Sequence, residues 1–260
     1  MKNNQPIGIF DSGVGGLSVL QHIHQLLPHE HLLYIADSGY APYGCKDENF
    51  VKQRSRIITE QLIARGAKAI VIACNTATAS IIESFRKQYG IPFIGVEPGI
   101  KPAIALSKNA RIGIMATSAT LSSSRYNKLS QRFSDKVLLV HQPCPGLADQ
   151  VEAGRLDTAD TLDLLQSYLR SLQQEQVDTI VLGCTHYSFL TQQIKNLVGD
   201  SIKLIDTSSA IAEQLLRVLV KEKLQNTESG SIQYFTTGAI VNMETVINNL
   251  LGDKVSIHQL

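Results

Sequence analysis

No long run of one charge sign interrupts the 260-residue sequence, in which 24 basic and 23 acidic residues leave a formal net charge of +1. A nucleic-acid or anionic-membrane partner would call for a basic patch, so neither is expected. No apolar stretch approaches the ~18 residues that a membrane-spanning helix requires. The opening MKNNQPIGIF holds no apolar signal core and runs straight into a strand-like segment, which points to a cytoplasmic protein. Only four cysteines occur, Cys45, Cys74, Cys144 and Cys184, and no two share a C-x-x-C spacing. A reducing compartment disfavours disulfides, and the wide spacing disfavours structural zinc. The thiols are therefore either buried structural groups or reactive ones.

What is present is an alternation of short β-branched runs with amphipathic stretches of helical length. That is the pattern of an α/β protein with a mainly parallel sheet. Strands are expected at 6–10, 31–36, 69–73, 92–96, 111–116, 136–141, 178–183 and 202–206, and helices at 47–65 and 157–174. The second four strands repeat the first four. Ile7-Gly8-Ile9-Phe10 corresponds to Ile112-Gly113-Ile114-Met115, and Leu33-Tyr34-Ile35 to Leu138-Leu139-Val140, both at an offset of 105. Ala69 to Cys74 corresponds to Thr179 to Cys184 at an offset of 110. The repeat predicts two similar doubly wound α/β domains related by a pseudo-twofold axis. Residues 1–96 plus 210–260 would form one domain and 97–209 the other, with the last fifty residues packing back onto the first.

Ligands in open α/β sheets bind beyond the carboxyl ends of the strands. Cys74 and Cys184 occupy equivalent strand ends, so each domain would present one thiol to a shared crevice. Their polar neighbours, Asn75-Thr76 and Thr185-His186, need partners or a ligand. The loop Asp11-Ser12-Gly13-Val14-Gly15-Gly16 lacks the third glycine of a dinucleotide fingerprint, since position 18 is Ser18. It can still hold a carboxylate through backbone amides, and Asp11 remains a candidate proton handler. The loop after the second strand, Asp37 to Gly44, offers backbone amides and the phenol of Tyr43, or simply turn chemistry. The second domain adds Thr117, Thr120 and Glu152. Two thiols on opposite sides of a carbon suit removal of a proton from one face and its return to the other. Cys45 and Cys144 have no repeat relation and read as structural.

DSGVGG at 11–16, DSGYAPYG at 37–44, ACNTAT at 73–78 and GCTHYS at 183–188 resemble the signature blocks of the glutamate racemases, in that family's order. The resemblance implies a cofactor-independent amino-acid racemase with one cysteine from each of two α/β domains, and no metal. Cys74 would take the α-proton of D-glutamate and Cys184 that of L-glutamate. Asp11 would assist Cys74, and His186 would assist Cys184 with Glu152 as a further helper. Asp11, Ser12, Tyr43, Gly44, Asn75, Thr76, Thr185 and His186 would hold the substrate, with Thr117 and Thr120 adding hydroxyls. The family supplies D-glutamate for peptidoglycan, and its members are often dimers, which implies a homodimer here. Aspartate racemases share two strand-end cysteines but typically carry Glu after the second Cys-Thr and lack the opening DSGxGG, so His186 and residues 11–16 favour glutamate. With only about six residues before the first strand, activation through an N-terminal extension is not expected. The rival readings are an aspartate racemase and a non-catalytic two-lobed binder of small carboxylates.

Overall fold

The computed structural model describes residues 3–252 and 254–260. The repeated apolar runs become strands β1 (Ile7–Asp11), β2 (His31–Ala36), β3 (Ala69–Ile72), β4 (Phe93–Gly95), β5 (Arg111–Ala116), β6 (Leu138–Pro143), β7 (Thr179–Gly183) and β8 (Lys203–Ile205). The C-terminal segment contributes β9 (Ser231–Thr236) and β10 (Ile257–Gln259). A six-stranded sheet runs β10-β9-β2-β1-β3-β4 and a four-stranded sheet β6-β5-β7-β8. The order β2-β1-β3-β4 is thus matched strand for strand by β6-β5-β7-β8. Every pairing within both sheets is parallel.

Helices cover both faces of each sheet, which is why its central strands read as nearly continuous apolar runs. Asp47 caps the helix Glu48–Ala64 by accepting from the Phe50 amide at 3.0 Å, and Thr158 caps Ala159–Gln174 through the Thr161 amide at 3.4 Å. Both helices lie where apolar periodicity predicts them. In the first sheet Ile7, Ile9 and Val71 face one way, into a core shared with Leu172, Ile180 and Leu182 of the second half. Phe10, Ile70 and Ile72 face the other way, against the helices Glu48–Ala64 and Asn75–Gln88.

The repeat extends to side-chain packing. Gly8 in β1 lies against Leu62, where an added Cβ would come within 2.9 Å, and Gly113 in β5 lies against Leu172, where it would come within 3.0 Å. Leu62 and Leu172 differ by 110, the offset of the two cysteines. One correspondence differs from expectation. Gly8 pairs with Leu33 and Gly113 with Val140, so the second strands are related by 107 rather than 105. The two extra residues are consumed in the turn after the helix Ser124–Gln131, where the amides of Lys136 and Val137 both bond the Phe133 carbonyl. β6 therefore starts at Leu138, two residues later than expected. A shift of two preserves which side chains face the core.

Residues 208–260 supply the helix Ser208–Glu222, which packs on the helix Leu17–Leu26, and the strands β9 and β10 at the edge of the first sheet. β10 carries no strand signal of its own in the sequence. No helix among the described residues is long and apolar enough to cross a membrane.

Candidate active site

β1, β3, β5 and β7 point their carboxyl ends into one crevice between the sheets. Cys74 follows β3 and Cys184 follows β7. Each sits at the mouth of a helical turn, Cys74 before Asn75–Gln88 and Cys184 before Thr185–Leu190. A small cavity of about 10 Å³ is lined by both cysteines together with Ser12, Asn75, Thr76, Thr117, Thr185 and His186, and by Pro42, Gly44 and Ala148. Of the residues expected at the site, four stand behind this lining: Asp11, Tyr43, Thr120 and Glu152.

The Cys74 Sγ accepts from the Ala77 amide at 3.5 Å and lies 3.9 Å from the Ser12 Oγ. Burial pushes this thiol well above its ordinary value, the Asp11 carboxylate pushes it further, and the Ala77 amide pulls against both. In the unliganded site Cys74 therefore carries its proton at neutral pH. Asp11 is fully buried. Its Oδ1 accepts from the Ser12 amide at 2.5 Å and the Ser12 hydroxyl at 3.0 Å, and its Oδ2 accepts from the Thr185 hydroxyl at 3.0 Å. Burial raises its pKa, with His186 nearby opposing the shift. Ser12 thus stands between the Asp11 carboxyl group and the Cys74 thiol.

The surroundings of Cys184 are built differently. Its Sγ lies 3.6 Å from His186 Nδ1, and His186 Nε2 lies 2.5 Å from Glu152 Oε1. The same Glu152 oxygen accepts from the Val14 amide at 2.8 Å. Burial alone would lower the His186 pKa, but the bonds to Cys184 and Glu152 outweigh it and hold the imidazole well above its ordinary value. Two glycines of the first loop make this approach possible. A Cβ on Gly13 would fall 1.8 Å from Glu152 Oε1, and one on Gly15 would fall 2.3 Å from His186 Nδ1. The glycines of DSGVGG thus admit the Glu152–His186 pair of the opposite half.

The Thr76 hydroxyl lies 3.0 Å from that of Thr117 and 3.3 Å from that of Thr120, so a triad of hydroxyls joins the two halves at the cavity wall. Asn75 is 4% exposed, and its Nδ2 has no hydrogen-bond partner among the described residues. A buried amide donor in that state costs free energy until something accepts from it. Tyr43 is buried and turns its hydroxyl away from the cavity to Asp37 Oδ2 at 2.5 Å, leaving Pro42 and Gly44 of its loop as cavity wall. Cys144 is a core thiol as expected. Cys45 is exposed, its Sγ donating to the Pro42 carbonyl at 3.4 Å, so it fills no core space. Sequence reasoning did not single out Pro42 or Ala148, which have no side-chain chemistry to betray them; the carboxylate that the Val14 amide of the first loop holds is that of Glu152. Among the described residues, no cluster of three or more His, Cys, Asp or Glu is arranged to hold a metal ion.

The chain matches the Asp/Glu/hydantoin racemase family over residues 7–215. A glutamate racemase of Ectopseudomonas mendocina is 46% identical over 259 residues, covering 99% of this chain and 98% of that protein. The crystal structure of glutamate racemase isoform RacE1 from Bacillus anthracis superposes with a TM-score of 0.91 at 32% identity, covering 99% of this chain and 98% of that one. Glutamate racemase from Francisella tularensis, solved in complex with D-glutamate, superposes with a TM-score of 0.87 at 27% identity, covering 99% and 98%.

Proposed function

Because the chain belongs to the Asp/Glu/hydantoin racemase family, we propose that it interconverts L- and D-glutamate by moving the α-proton between Cys74 and Cys184. One observation carries the reading: two cysteines at equivalent strand ends of a repeated fold line one cavity. In one direction the Cys74 thiolate takes the α-proton of D-glutamate, and the Cys184 thiol delivers a proton to the opposite face. The enzyme then holds its proton on Cys74, ready to act on L-glutamate in reverse. Each turnover moves one proton from one sulfur to the other, so no outside acid or base is consumed.

The α-proton of an amino acid is far less acidic than a thiol, so the carbanion needs fixed donors in a water-poor site. Asn75 Nδ2, the Thr76–Thr117–Thr120 hydroxyls and the backbone amides of the loop at 12–16 are the candidates, while those of Tyr43 and Gly44 hold the substrate. Asp11, acting with Ser12, receives and returns the Cys74 proton. His186, steadied by Glu152, does the same for Cys184. D-glutamate made in the cytoplasm would supply peptidoglycan synthesis. We also infer a homodimer from the family resemblance, which analytical ultracentrifugation tests.

Incubation of enantiopure glutamate with the protein in D₂O tests the whole reading. The expected result is deuterium at Cα of the inverted product, with racemisation lost in both Cys74→Ser and Cys184→Ser. Exchange on aspartate but not glutamate would overturn the substrate, and no exchange at all would overturn the reaction.

A further inference from the structure

The loop that walls the cavity between Asp37 and Lys46 is tied down at a point outside the cavity lining. Asp37 is fully buried one residue past β2, and its carboxylate has four donors. Oδ2 accepts from the Tyr43 hydroxyl at 2.5 Å and from Arg54 Nε at 3.0 Å; Oδ1 accepts from the other Arg54 nitrogen at 2.7 Å and from the Thr237 hydroxyl at 2.8 Å. These donors come from the loop itself, the helix Glu48–Ala64 and the chain just past β9. The Arg54 guanidinium also lies over the Tyr40 ring, 3.7 Å from its centroid. The Asp37 amide donates to the Asp11 carbonyl at 3.0 Å, which joins this anchor to the end of β1.

From the anchor the loop reaches toward the chemistry. Pro42 and Gly44 flank Tyr43 and line the cavity. Gly44 abuts the second half so closely that a Cβ there would meet Thr117 Cγ2 at 2.6 Å. Tyr43 is therefore a strut with its foot on a bidentate ion pair and its backbone at the cavity wall. A bidentate Arg–carboxylate pair fixes direction as well as distance, which a lysine cannot reproduce. A role confined to fold stability would not require the phenol of the cavity-lining loop to be one of the four donors.

We propose that Asp37 and Arg54 are positioning residues for substrate binding, acting through the Tyr43 hydroxyl to hold the backbone of residues 42–44 against the bound amino acid. The inference rests on the racemase reading of the site. Loss of the anchor weakens substrate capture while the two thiols and their helpers stay in place.

Three variants test it. Tyr43→Phe keeps the ring and removes only the link to Asp37; Arg54→Lys keeps the charge and removes the bidentate geometry; Asp37→Asn keeps the shape. The expected result for Tyr43→Phe and Arg54→Lys is a KM raised about tenfold for both enantiomers, the equivalent of one hydrogen bond, with kcat within about twofold of wild type. Amide hydrogen exchange should speed up at residues 38–46 and stay unchanged in β3. Should Asp37→Asn not fold, the two milder variants carry the test. A lowered Tm with KM, kcat and loop exchange all unchanged would make the cluster a structural brace only and overturn the proposal. So would a fall in kcat alone. Failure of the wild-type protein to racemise glutamate would instead overturn the underlying reading, and the loop-exchange measurement remains informative without any activity.

Discussion

Gly15→Ala separates a catalytic lesion from a general one. Gly15 does not occupy the left-handed region, so alanine meets no backbone penalty there; the whole perturbation is one methyl group. That methyl would lie 2.3 Å from His186 Nδ1 and 2.6 Å from its Cε1, about 1 Å inside van der Waals contact. The imidazole has no slack to give, because Nε2 is held at 2.5 Å by Glu152 and Nδ1 faces Cys184 at 3.6 Å. A misplacement of ~1 Å in a catalytic group costs about 10²-fold in rate, equivalent to about 2.7 kcal/mol of barrier. The direction of the damage is also fixed. L- and D-glutamate are mirror images of equal free energy, so kcat/KM must fall equally in both directions. What shifts is the step that limits the rate. Transfer at Cys184 becomes slow while transfer at Cys74 is spared. The primary isotope effect measured with 2-deutero-L-glutamate should therefore rise, and that with 2-deutero-D-glutamate should fall. Circular dichroism assays both initial rates directly. Because crowding of a packed site can cost about 1–3 kcal/mol of stability, rates are compared well below the unfolding transition. A kcat/KM within about threefold of wild type, less than 1 kcal/mol of barrier, would refute the steric argument. Isotope effects that move together would refute the assignment of His186 to Cys184.

Thr185→Val deletes the hydroxyl that donates to Asp11 Oδ2 and leaves a fully buried carboxyl group one partner short. Its isotope asymmetry should be the reverse of that in Gly15→Ala, with the larger effect from 2-deutero-D-glutamate; an unchanged pattern would remove Asp11 from the Cys74 half-reaction. Cys144 is 2% exposed, and burial pushes its thiol above the ordinary 9.0. A folded pKa above the unfolded one gives stability that is complete below 9.0 and lost as pH rises toward the folded value. Over the pH unit above that point, urea unfolding of Cys144→Ala should lose stability less steeply than wild type, by up to about 1.4 kcal/mol per unit, and parallel slopes would contradict a protonated buried thiol.

Fold and site were legible in the sequence to different depths for a physical reason. The strands announce themselves because a sheet covered on both faces needs unbroken apolar runs, and the cysteines stand out because the repeat aligns them. β10 was invisible, since Ile257-His258-Gln259 pairs only at an edge and buries only its first residue. The helpers could not be found by symmetry. The repeat position of Asp11 is Ala116, and that of His186 is Thr76, so the two halves place thiols at equivalent points and the proposed acid/base partners at inequivalent ones. Asp37 gives no sign of its role in the sequence, because an acidic residue after a strand looks the same whether it caps a turn or accepts from a distant arginine. Lys68 is a further case: flanked by alanines, it gives no local sign of its complete burial against Glu30 at 2.5 Å.

The inequivalent helpers have a consequence for how the crevice works. Asp11 belongs to the first half but is held by Thr185 of the second; Glu152 belongs to the second half but is held by the Val14 amide of the first. Each thiol's partner is thus oriented across the interface by the half that carries the other thiol. A cavity of only about 10 Å³, with both sulfurs nearly buried, must open for glutamate to enter or leave. Opening would release Asp11 and Glu152 together, and closing would restore both. A proton transfer attempted with one helper in place and the other adrift would strand the carbanion without a competent acid. On the proposed mechanism the crossed bracing would remove that state, because one closing movement would ready Cys74 and Cys184 together.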